Sequence, residues 1–309
     1  MPELPDVVVY AEHLERRLKG RTLRKVRLAS PFVLRSVTPP LTDIEGRAIR
    51  GVSRLGKRLV FSLEGEEGGA ELFLVLHLMV SGRLRWKTAG TPIPIPKKIG
   101  LLSFLFDHGT LLLTEASPKK RAWVRVVAGR EALLALDPGG LEPLEASRDA
   151  FVARLRTENH TLKRALTDPT LFSGIGNAYS DEILHAARLS PVALTSRLAG
   201  EEADRLFDAT RTTLLDWTER LRRETGETFP EKVTAFREGM AVHGKFGRPC
   251  PRCGTAVQRI VYAANETNYC PACQTGGKLL ADRSLSRLLR GDWPKSLEEM
   301  EERIERSRS

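Results

Sequence analysis

The first six residues of the chain carry its most distinctive chemistry. If Met1 is removed, Pro2 presents a secondary amine, which can attack an aldehyde-level carbon and form an iminium without a side-chain nucleophile. Glu3 beside it is a carboxyl group that can donate or accept a proton. Proline is also common at the first position of a helix, so these residues alone leave an ordinary helix start open.

All four cysteines lie in one short segment, as two CxxC pairs with sixteen residues between them. Four thiolates suit tetrahedral zinc, and the intervening residues are enough for a β-hairpin. Four sulfur ligands leave no open coordination position, so the sequence predicts one structural zinc ion and no catalytic metal. The predicted ligands are Cys250, Cys253, Cys270 and Cys273.

Several basic residues are candidates for contact with an anion. Lys57 follows Gly56 in an otherwise apolar strand pair, where glycine leaves room for a ligand backbone. Arg259 is one of several cations that flank the cysteines. A basic loop after Pro118 contains Lys119, Lys120 and Arg121. The alternatives are a solvated lysine, a purely structural zinc clip and a charged turn.

A glycine-rich turn at residues 172–177 separates two helical patterns. Gly174 and Gly176 permit positive φ or close backbone approach, and Asn177 is placed to cap a helix that starts at Ala178. Such a helix start presents N–H groups to an anion such as a phosphate. A tight connection between two packed helices is the alternative.

The composition favours an anionic partner, with nucleic acid first, because the net charge is +10 and the pI is about 9.7. No long apolar run predicts a membrane helix, and no signal-peptide pattern precedes the first acidic residues. We expect a cytoplasmic protein, which acts at the nucleoid when its partner is DNA, and a monomer without membrane contact.

The elements that must position these residues follow from periodicity. Residues 6–18 read as a helix, residues 22–127 as short strands of an antiparallel sandwich or barrel, and residues 88–98 as a Pro-rich loop. Helical patterns begin near residue 147. We therefore predict an α+β chain with a catalytic domain at 1–140, a helical domain at 147–240, a zinc finger at 243–277 and a charged helical tail at 283–309.

The chain resembles the formamidopyrimidine-DNA glycosylase and endonuclease VIII family of repair enzymes. The blocks that carry the resemblance occur in the family's order from residue 2 to residue 273: PELPDV, LGKRL, HLMVSGRL, GIGNAYSDEIL and the paired CxxC motifs. The resemblance implies an N-terminal β-sandwich with an N-terminal helix. It also implies a C-terminal helix–two-turn–helix domain with a zinc finger, and double-stranded DNA in the cleft between the domains.

The resemblance also implies a function, which is removal of oxidised bases and cleavage of the DNA strand. Pro2 would attack the sugar C1′ atom and form a Schiff base, and Glu3 would protonate the sugar ring oxygen. Lys57 matches a lysine that contacts phosphate near the lesion and supports catalysis. Asn177 matches a phosphate-binding asparagine, and His77 matches a histidine of a DNA-contacting strand block.

Several departures from the family pattern affect the expected DNA contacts. Asn265 stands where the family's zinc finger has an arginine that grips phosphates, so the clamp is weakened or moved, to Arg259 or Lys278. Val80 aligns with an intercalating methionine, and Met79 lies one position early, on the opposite face of the expected strand. The basic loop is one residue shorter than the family's and lacks its phenylalanine wedge.

Other departures concern substrate choice and the end of the chain. Residues 225–240, which would cap a flipped oxidised purine, have a sequence of their own, and Asp6 replaces a family glutamate. About 35 residues follow Cys273, with a capping box at residues 296–299 and a charged helix at 297–306, for which a solvated tail is the simplest interpretation.

Two further hypotheses remain open beside the enzyme. One is a catalytically weak, damage- or structure-specific DNA-binding protein on the same fold. The other is a zinc-ribbon transcription or chromatin factor, which leaves the N-terminal block unexplained.

Overall fold

The computed structural model describes residues 1–65, 69–88, 93–231, 233–262, 265–280 and 294–308. It forms two compact units, Met1–Gly140 with Asp216–Ala235 and Leu141–Leu215 with Phe236–Ser309. The segment Asp216–Ala235 lies within the range that the sequence assigned to the helical domain. Among the described residues, no helix has both the length and the apolar character needed to span a membrane.

The first unit begins with helix α1, Leu4–Leu18. Its fully buried residues Leu4, Val7, Leu14 and Leu18 recur near the helical period, so one face of α1 packs into the hydrophobic core. The helix starts two residues earlier than the sequence predicted, because its N-terminal cap is Glu3.

Two four-stranded antiparallel sheets share that core, which confirms the predicted sandwich. Phe61 of one sheet and Phe104 of the other stack with ring centroids 6.5 Å apart. The first sheet has the order β1 (Lys25–Leu28), β6 (Gly100–Phe106), β7 (Gly109–Glu115) and β5 (Gly82–Lys87). The second has the order β2 (Ile49–Leu55), β3 (Arg58–Leu63), β4 (Leu72–His77) and β8 (Trp123–Ala128).

A short helix that the sequence did not indicate, α2 (Arg130–Leu134), lies against the second sheet. Alternate residues of that sheet turn away from the main core and form a separate cluster with Leu133. The strand residues of this cluster are Val60, Phe73, Val75 and Val127.

The second unit contains the predicted helices and zinc finger. Its helices are α3 (Arg148–Leu155), α4 (Leu162–Thr167), α5 (Asn177–Ala187), most of α6 (Gly200–Thr225), α7 (Pro271–Thr275) and α8 (Leu297–Arg308). Strands β9 (Gln258–Tyr262) and β10 (Asn265–Tyr269) form the expected hairpin between the cysteine pairs.

The described part of the tail contains the expected charged helix, while residues 283–293 of the predicted tail lie outside the described residues. Ser296 Oγ accepts a 3.2 Å hydrogen bond from the Glu299 N–H, as in a capping box. The Glu299 carboxylate accepts from the Lys295 N–H at 2.8 Å, one residue before the position that a standard box uses.

Candidate functional site

Pro2 is buried directly before α1, and the start of this helix fixes the residues around it. Glu3 forms a capping box with Asp6, whose Oδ2 accepts a 2.9 Å hydrogen bond from the Glu3 N–H. Glu3 and Asp6 are 2% and 3% exposed. Asp6 therefore holds the backbone next to Pro2 in addition to carrying a negative charge.

Charged side chains of the first unit surround the chain terminus. Burial lowers the pKa of the Met1 α-amino group, the Glu3 carboxylate opposes this shift, and the Arg83 and Lys57 cations add to it. A lowered pKa suits a nucleophilic terminus, because only an unprotonated amine can attack carbon. Arg83 lies in the SGRL block of the sequence, but nothing in the sequence alone placed it near the terminus.

Lys57 lies in the two-residue turn between β2 and β3, so the prediction that it lies within a strand is wrong. Gly56 has φ +58°, and Lys57 does not share a positive φ, which is the pattern of a type II′ hairpin turn. Burial lowers the pKa of Lys57, and the charge of Glu3 opposes that shift. The turn thus places the ammonium group within electrostatic reach of Glu3.

His77 ends β4 opposite Arg58 and stacks on Trp123, with ring centroids 5.6 Å apart. Its Nδ1 accepts a 3.2 Å hydrogen bond from the Met79 N–H, so the neutral ring carries its proton on Nε2. Burial lowers the pKa of His77 to about 4, with help from the Arg58 and Lys57 charges. At neutral pH His77 therefore offers an N–H donor and no charge.

We expect His77 to titrate near pH 4 as the Nε2–H tautomer. Its unfolded form takes up a proton below about pH 6.5, so His77 lowers the stability of the folded state as the pH falls from 6.5 toward 4. Ring-nitrogen NMR shifts of ¹⁵N-histidine protein, assigned with the His77→Gln variant, measure this. Titration of His77 near pH 6.5 would contradict the buried, neutral assignment.

Residues 78–81 form a turn between β4 and β5, so the expected strand-face difference between Met79 and Val80 does not exist. Met79 adopts φ +51°, a conformation that L-residues avoid. Val80 is 56% exposed at the tip of the turn. Gly82 closes the turn, because its N–H donates a 2.8 Å hydrogen bond to the Leu78 carbonyl oxygen. Only glycine fits this close approach, since an added Cβ would lie 2.3 Å from the same oxygen.

Replacement of Met79 by glycine is expected to stabilise the protein by about 0.5–1 kcal/mol. A left-handed conformation costs an L-residue about 1–2 kcal/mol, and glycine avoids this strain. The gain exceeds the conformational entropy that glycine loses on folding, which costs about 0.5–1 kcal/mol. Thermal unfolding compares this variant with Val80→Gly, which lies in the same turn without a positive φ and is expected to destabilise. Equal losses in both variants would show that φ at residue 79 carries no strain.

The basic loop of residues 116–122 presents two of its three cations to solvent. Lys119 and Arg121 are exposed, while the Lys120 ammonium bends back and donates to the Glu115 carbonyl oxygen. Lys119 and Arg121 are therefore better placed than Lys120 to contact a ligand.

In the second unit, Asn177 is the first residue of α5, and Gly176 occupies the N-cap position without a side-chain cap. The predicted capping role of Asn177 is therefore wrong. Its Nδ2 instead donates a 2.7 Å hydrogen bond to the Glu266 carbonyl oxygen in the zinc-finger hairpin. Lys163 Nζ donates to the Asn177 carbonyl oxygen at 2.7 Å, which places a cation at the helix start.

Further side chains of α5, one turn beyond Asn177, hold the zinc finger. Asp181 accepts from Lys163 Nζ at 2.5 Å, from His243 Nδ1 at 2.8 Å and from the Asn268 N–H at 3.2 Å. Glu182 accepts from three consecutive backbone N–H groups, those of Ala241, Val242 and His243. Burial raises the pKa of Glu182, and these N–H groups oppose the shift.

The four cysteine sulfur atoms lie within 4.8 Å of one another. The Sγ–Sγ distances are 3.4 Å for Cys253 to Cys270 and to Cys273, and 4.0 Å for Cys250 to Cys273. Four sulfurs around one zinc ion, each about 2.3 Å from it, lie about 3.8 Å apart. The cluster therefore fits one structural zinc ion, and His185 Nε2 lies 3.2 Å from the Cys250 sulfur.

Arg259 of the zinc-finger hairpin is already engaged by neighbouring side chains, so it differs from an arginine that is free to bind phosphate. Arg259 stacks over Phe246, 4.4 Å from the ring centre, and pairs with the Glu266 carboxylate at 3.2 Å. Asn265 is the first residue of β10 and pairs with Tyr262. The carboxylate beside Arg259 reduces the positive charge that this hairpin can offer to an anion.

The start of the segment predicted to cap a flipped base packs against α1. Phe229 is 6% exposed, and its ring lies 5.8 Å from that of Tyr10. Arg17 lies over Phe229 and donates a 2.6 Å hydrogen bond to the Glu227 carbonyl oxygen. These contacts anchor residues 227–229 in the first unit, and the cap role of residues 225–240 stays a prediction.

Three family models match successive parts of the chain. They are the formamidopyrimidine-DNA glycosylase N-terminal domain at residues 1–122, the H2TH domain of the same enzymes at 136–225, and the zinc finger found in FPG and IleRS at 247–276. The matched ranges contain the terminus with Glu3 and Lys57, the start of α5, and the four cysteines.

Relatives and solved structures agree with these matches. Formamidopyrimidine-DNA glycosylases of Thermus thermophilus and Heliobacterium modesticaldum are 35% and 34% identical, over 90% and 89% of this chain and 100% of theirs. A Lactococcus lactis Fpg complex with DNA and an inhibitor has a TM-score of 0.76 at 26% identity, over 89% of this chain and 100% of its own. The chain therefore belongs to the formamidopyrimidine-DNA glycosylase family.

Proposed function

We propose that the protein is a base-excision repair DNA glycosylase with lyase activity at abasic sites. The observation that carries the proposal is buried Pro2 next to buried Glu3, at a chain terminus with Lys57 and Arg83 in electrostatic reach. Binding to DNA alone does not require this arrangement at the start of the chain. The proposed location is the cytoplasm, where the enzyme would act on the DNA of the nucleoid.

The first step is attack of the Pro2 amine on the sugar C1′ atom of a nucleotide that has been rotated out of the duplex. The bond from C1′ to the base breaks, and the base leaves with the electron pair and takes up a proton. Glu3 protonates the sugar ring oxygen, the ring opens, and an iminium joins Pro2 to C1′. Buried Glu3 is held for this role by its capping box with Asp6.

The iminium acidifies the C2′ proton, and its loss expels the 3′ phosphate with the electrons of the C3′–O bond. A second elimination releases the 5′ phosphate, and water then hydrolyses the sugar fragment from Pro2. Lys57 lies within electrostatic reach of Glu3, and its ammonium would compensate phosphate charge as each elimination proceeds.

Several other side chains would bind double-stranded DNA. His77 offers a neutral N–H donor, Lys119 and Arg121 offer exposed cations, and Asn177 lies at the start of α5, where the helix dipole favours an anion. Arg259 and Asn265 would contribute from the zinc-finger hairpin. Zinc, when bound to the four cysteines, holds the shape of that hairpin and takes no part in the reaction.

The proposed substrates are oxidised purines such as 8-oxoguanine and formamidopyrimidine. Solved relatives include a MutM complex with 8-oxoguanine DNA, and Lactococcus lactis complexes with formamidopyrimidine DNA and with oxidised-pyrimidine DNA. A panel of duplexes with each lesion, incubated with excess enzyme, measures the preference. Cleavage of oxidised pyrimidines alone would overturn the purine assignment without affecting the lyase proposal.

The second candidate function is a DNA-binding protein of weak catalytic power. It is favoured by the Arg259–Glu266 pair and by Asn265, which weaken the hairpin as a phosphate clamp. Borohydride reduction of the protein bound to a duplex with an abasic site separates the two functions, because it converts the iminium into a stable amine. A covalent adduct supports the enzyme, and tight binding without an adduct supports the binding protein.

A further inference from the structure

The Glu115 carboxylate joins two loops of the first unit. It is 1% exposed at the end of β7. One oxygen accepts a 3.0 Å hydrogen bond from Ser81 Oγ, in the turn that carries exposed Val80. The other accepts from the backbone N–H groups of Arg121 and Ala122, at 2.8 and 3.0 Å, in the basic loop.

The two joined loops present complementary chemistry to a nucleic-acid duplex. Val80 is an aliphatic side chain, 56% exposed at the tip of a closed turn. Lys119 and Arg121 are exposed cations on the other loop. An apolar side chain can enter between base pairs that are pushed apart, while neighbouring cations bind the phosphates of the bent strand.

We propose that Glu115 is the positioning residue that holds these two loops as one rigid wedge for opening the base stack. This inference rests on the proposed function, because an enzyme that extracts a nucleotide from a duplex needs to open the base stack. The carboxylate is suited to the task because it accepts from both loops at once. Glu115 itself touches neither the sugar nor the base.

The test compares two abasic-site DNAs, one double-stranded and one single-stranded, in borohydride trapping. Only in the duplex must the nucleotide be extracted from a base stack, so only there can this step limit the trapping rate. Glu115→Ala is expected to lower the trapping rate on the duplex by about 100-fold, because a misplaced wedge loses its alignment. On the single strand the rate is expected to stay within about threefold of wild type, because no stack has to be opened.

Glu115→Gln is the matched rescue variant. Its amide oxygen can accept from the Arg121 and Ala122 N–H groups, and its NH₂ group can donate to Ser81 Oγ. We expect it to retain wild-type trapping on both DNAs. Ser81→Ala breaks only the link to the turn, so it is expected to lower trapping on the duplex and not on the single strand.

Thr110→Val is the control for general damage to β7, because Thr110 is a buried residue near the other end of the same strand, opposite Leu105 and Lys87. Equal losses on both DNAs in Ser81→Ala would overturn the wedge proposal and assign Glu115 to folding alone. So would wild-type trapping on the duplex by a folded Glu115→Ala variant. Failure of the proposed function itself is distinct, because the wild type would then form no adduct on either DNA.

Discussion

A protein that retains Met1 is expected to form no covalent adduct at Pro2, whereas the processed chain forms one on abasic-site DNA. With Met1 in place, the Pro2 nitrogen is a tertiary amide without a lone pair available for attack on carbon. The loss of a catalytic nucleophile should lower the trapping rate at least about 1,000-fold. Because the capping box of α1 begins at Glu3 and does not involve Met1, binding to the same DNA should change little.

The measurement uses two preparations of one sequence, one with the initiating methionine removed and one with it blocked from removal. Pro2→Gly in the processed chain is expected to lose the adduct as well. Pro5→Ala is the matched control, since Pro5 is a proline in the first turn of α1 whose nitrogen belongs to a peptide bond and cannot attack carbon. Mass mapping of any residual adduct shows which nitrogen reacted.

One outcome would change the assignment of the nucleophile. The Met1 α-amino group is partly buried, and its pKa is lowered beside Glu3, so it is itself a plausible amine for attack in the unprocessed chain. If the adduct forms at the wild-type rate and maps to Met1, the residues around the chain terminus activate whichever amine is present there. Pro2 would then be a consequence of processing and not a requirement of the chemistry.

Features that depend on local spacing could be predicted from the sequence. The period of apolar residues gave α1, and the two CxxC pairs gave the sulfur cluster, because in both cases the interacting residues are close along the chain. Short strands separated by turns predicted an antiparallel sandwich or barrel, and the resemblance to the family implied the sandwich, whose two sheets share a common core.

Features that depend on distant partners could not be predicted. Glu115 looks like the polar end of a strand, and only the fold brings Ser81 against its carboxylate. Lys57 was assigned to a strand, because a two-residue turn between apolar runs looks like one continuous run. Asn177 has the composition of a cap, but its side chain bonds to a hairpin 89 residues away along the chain.

Loss of zinc is expected to unfold the zinc finger and to disorder the contacts that α5 makes with it. Cysteine-bound structural zinc contributes about 10–16 kcal/mol in small zinc fingers, far more than the short hairpin can supply. Without it, the carboxylates of Asp181 and Glu182 would lose the His243 and Asn268 partners that satisfy them inside the protein. An unpaired buried carboxylate is costly, so the damage should spread into the second unit.

Cys250→Ser tests this, because Cys250 is only 2% exposed and its sulfur also contacts His185. We expect less than about half a zinc ion per chain, loss of amide-exchange protection in β9, β10 and residues 241–243, and loss of DNA binding. Strands β2 to β8 should keep their protection, because their hydrophobic core contains no cysteine.

Zinc added back to chelated wild type should restore both protection and binding, but it should not restore them in Cys250→Ser. Full protection of β9 and β10 without zinc would show that α5 alone holds the hairpin.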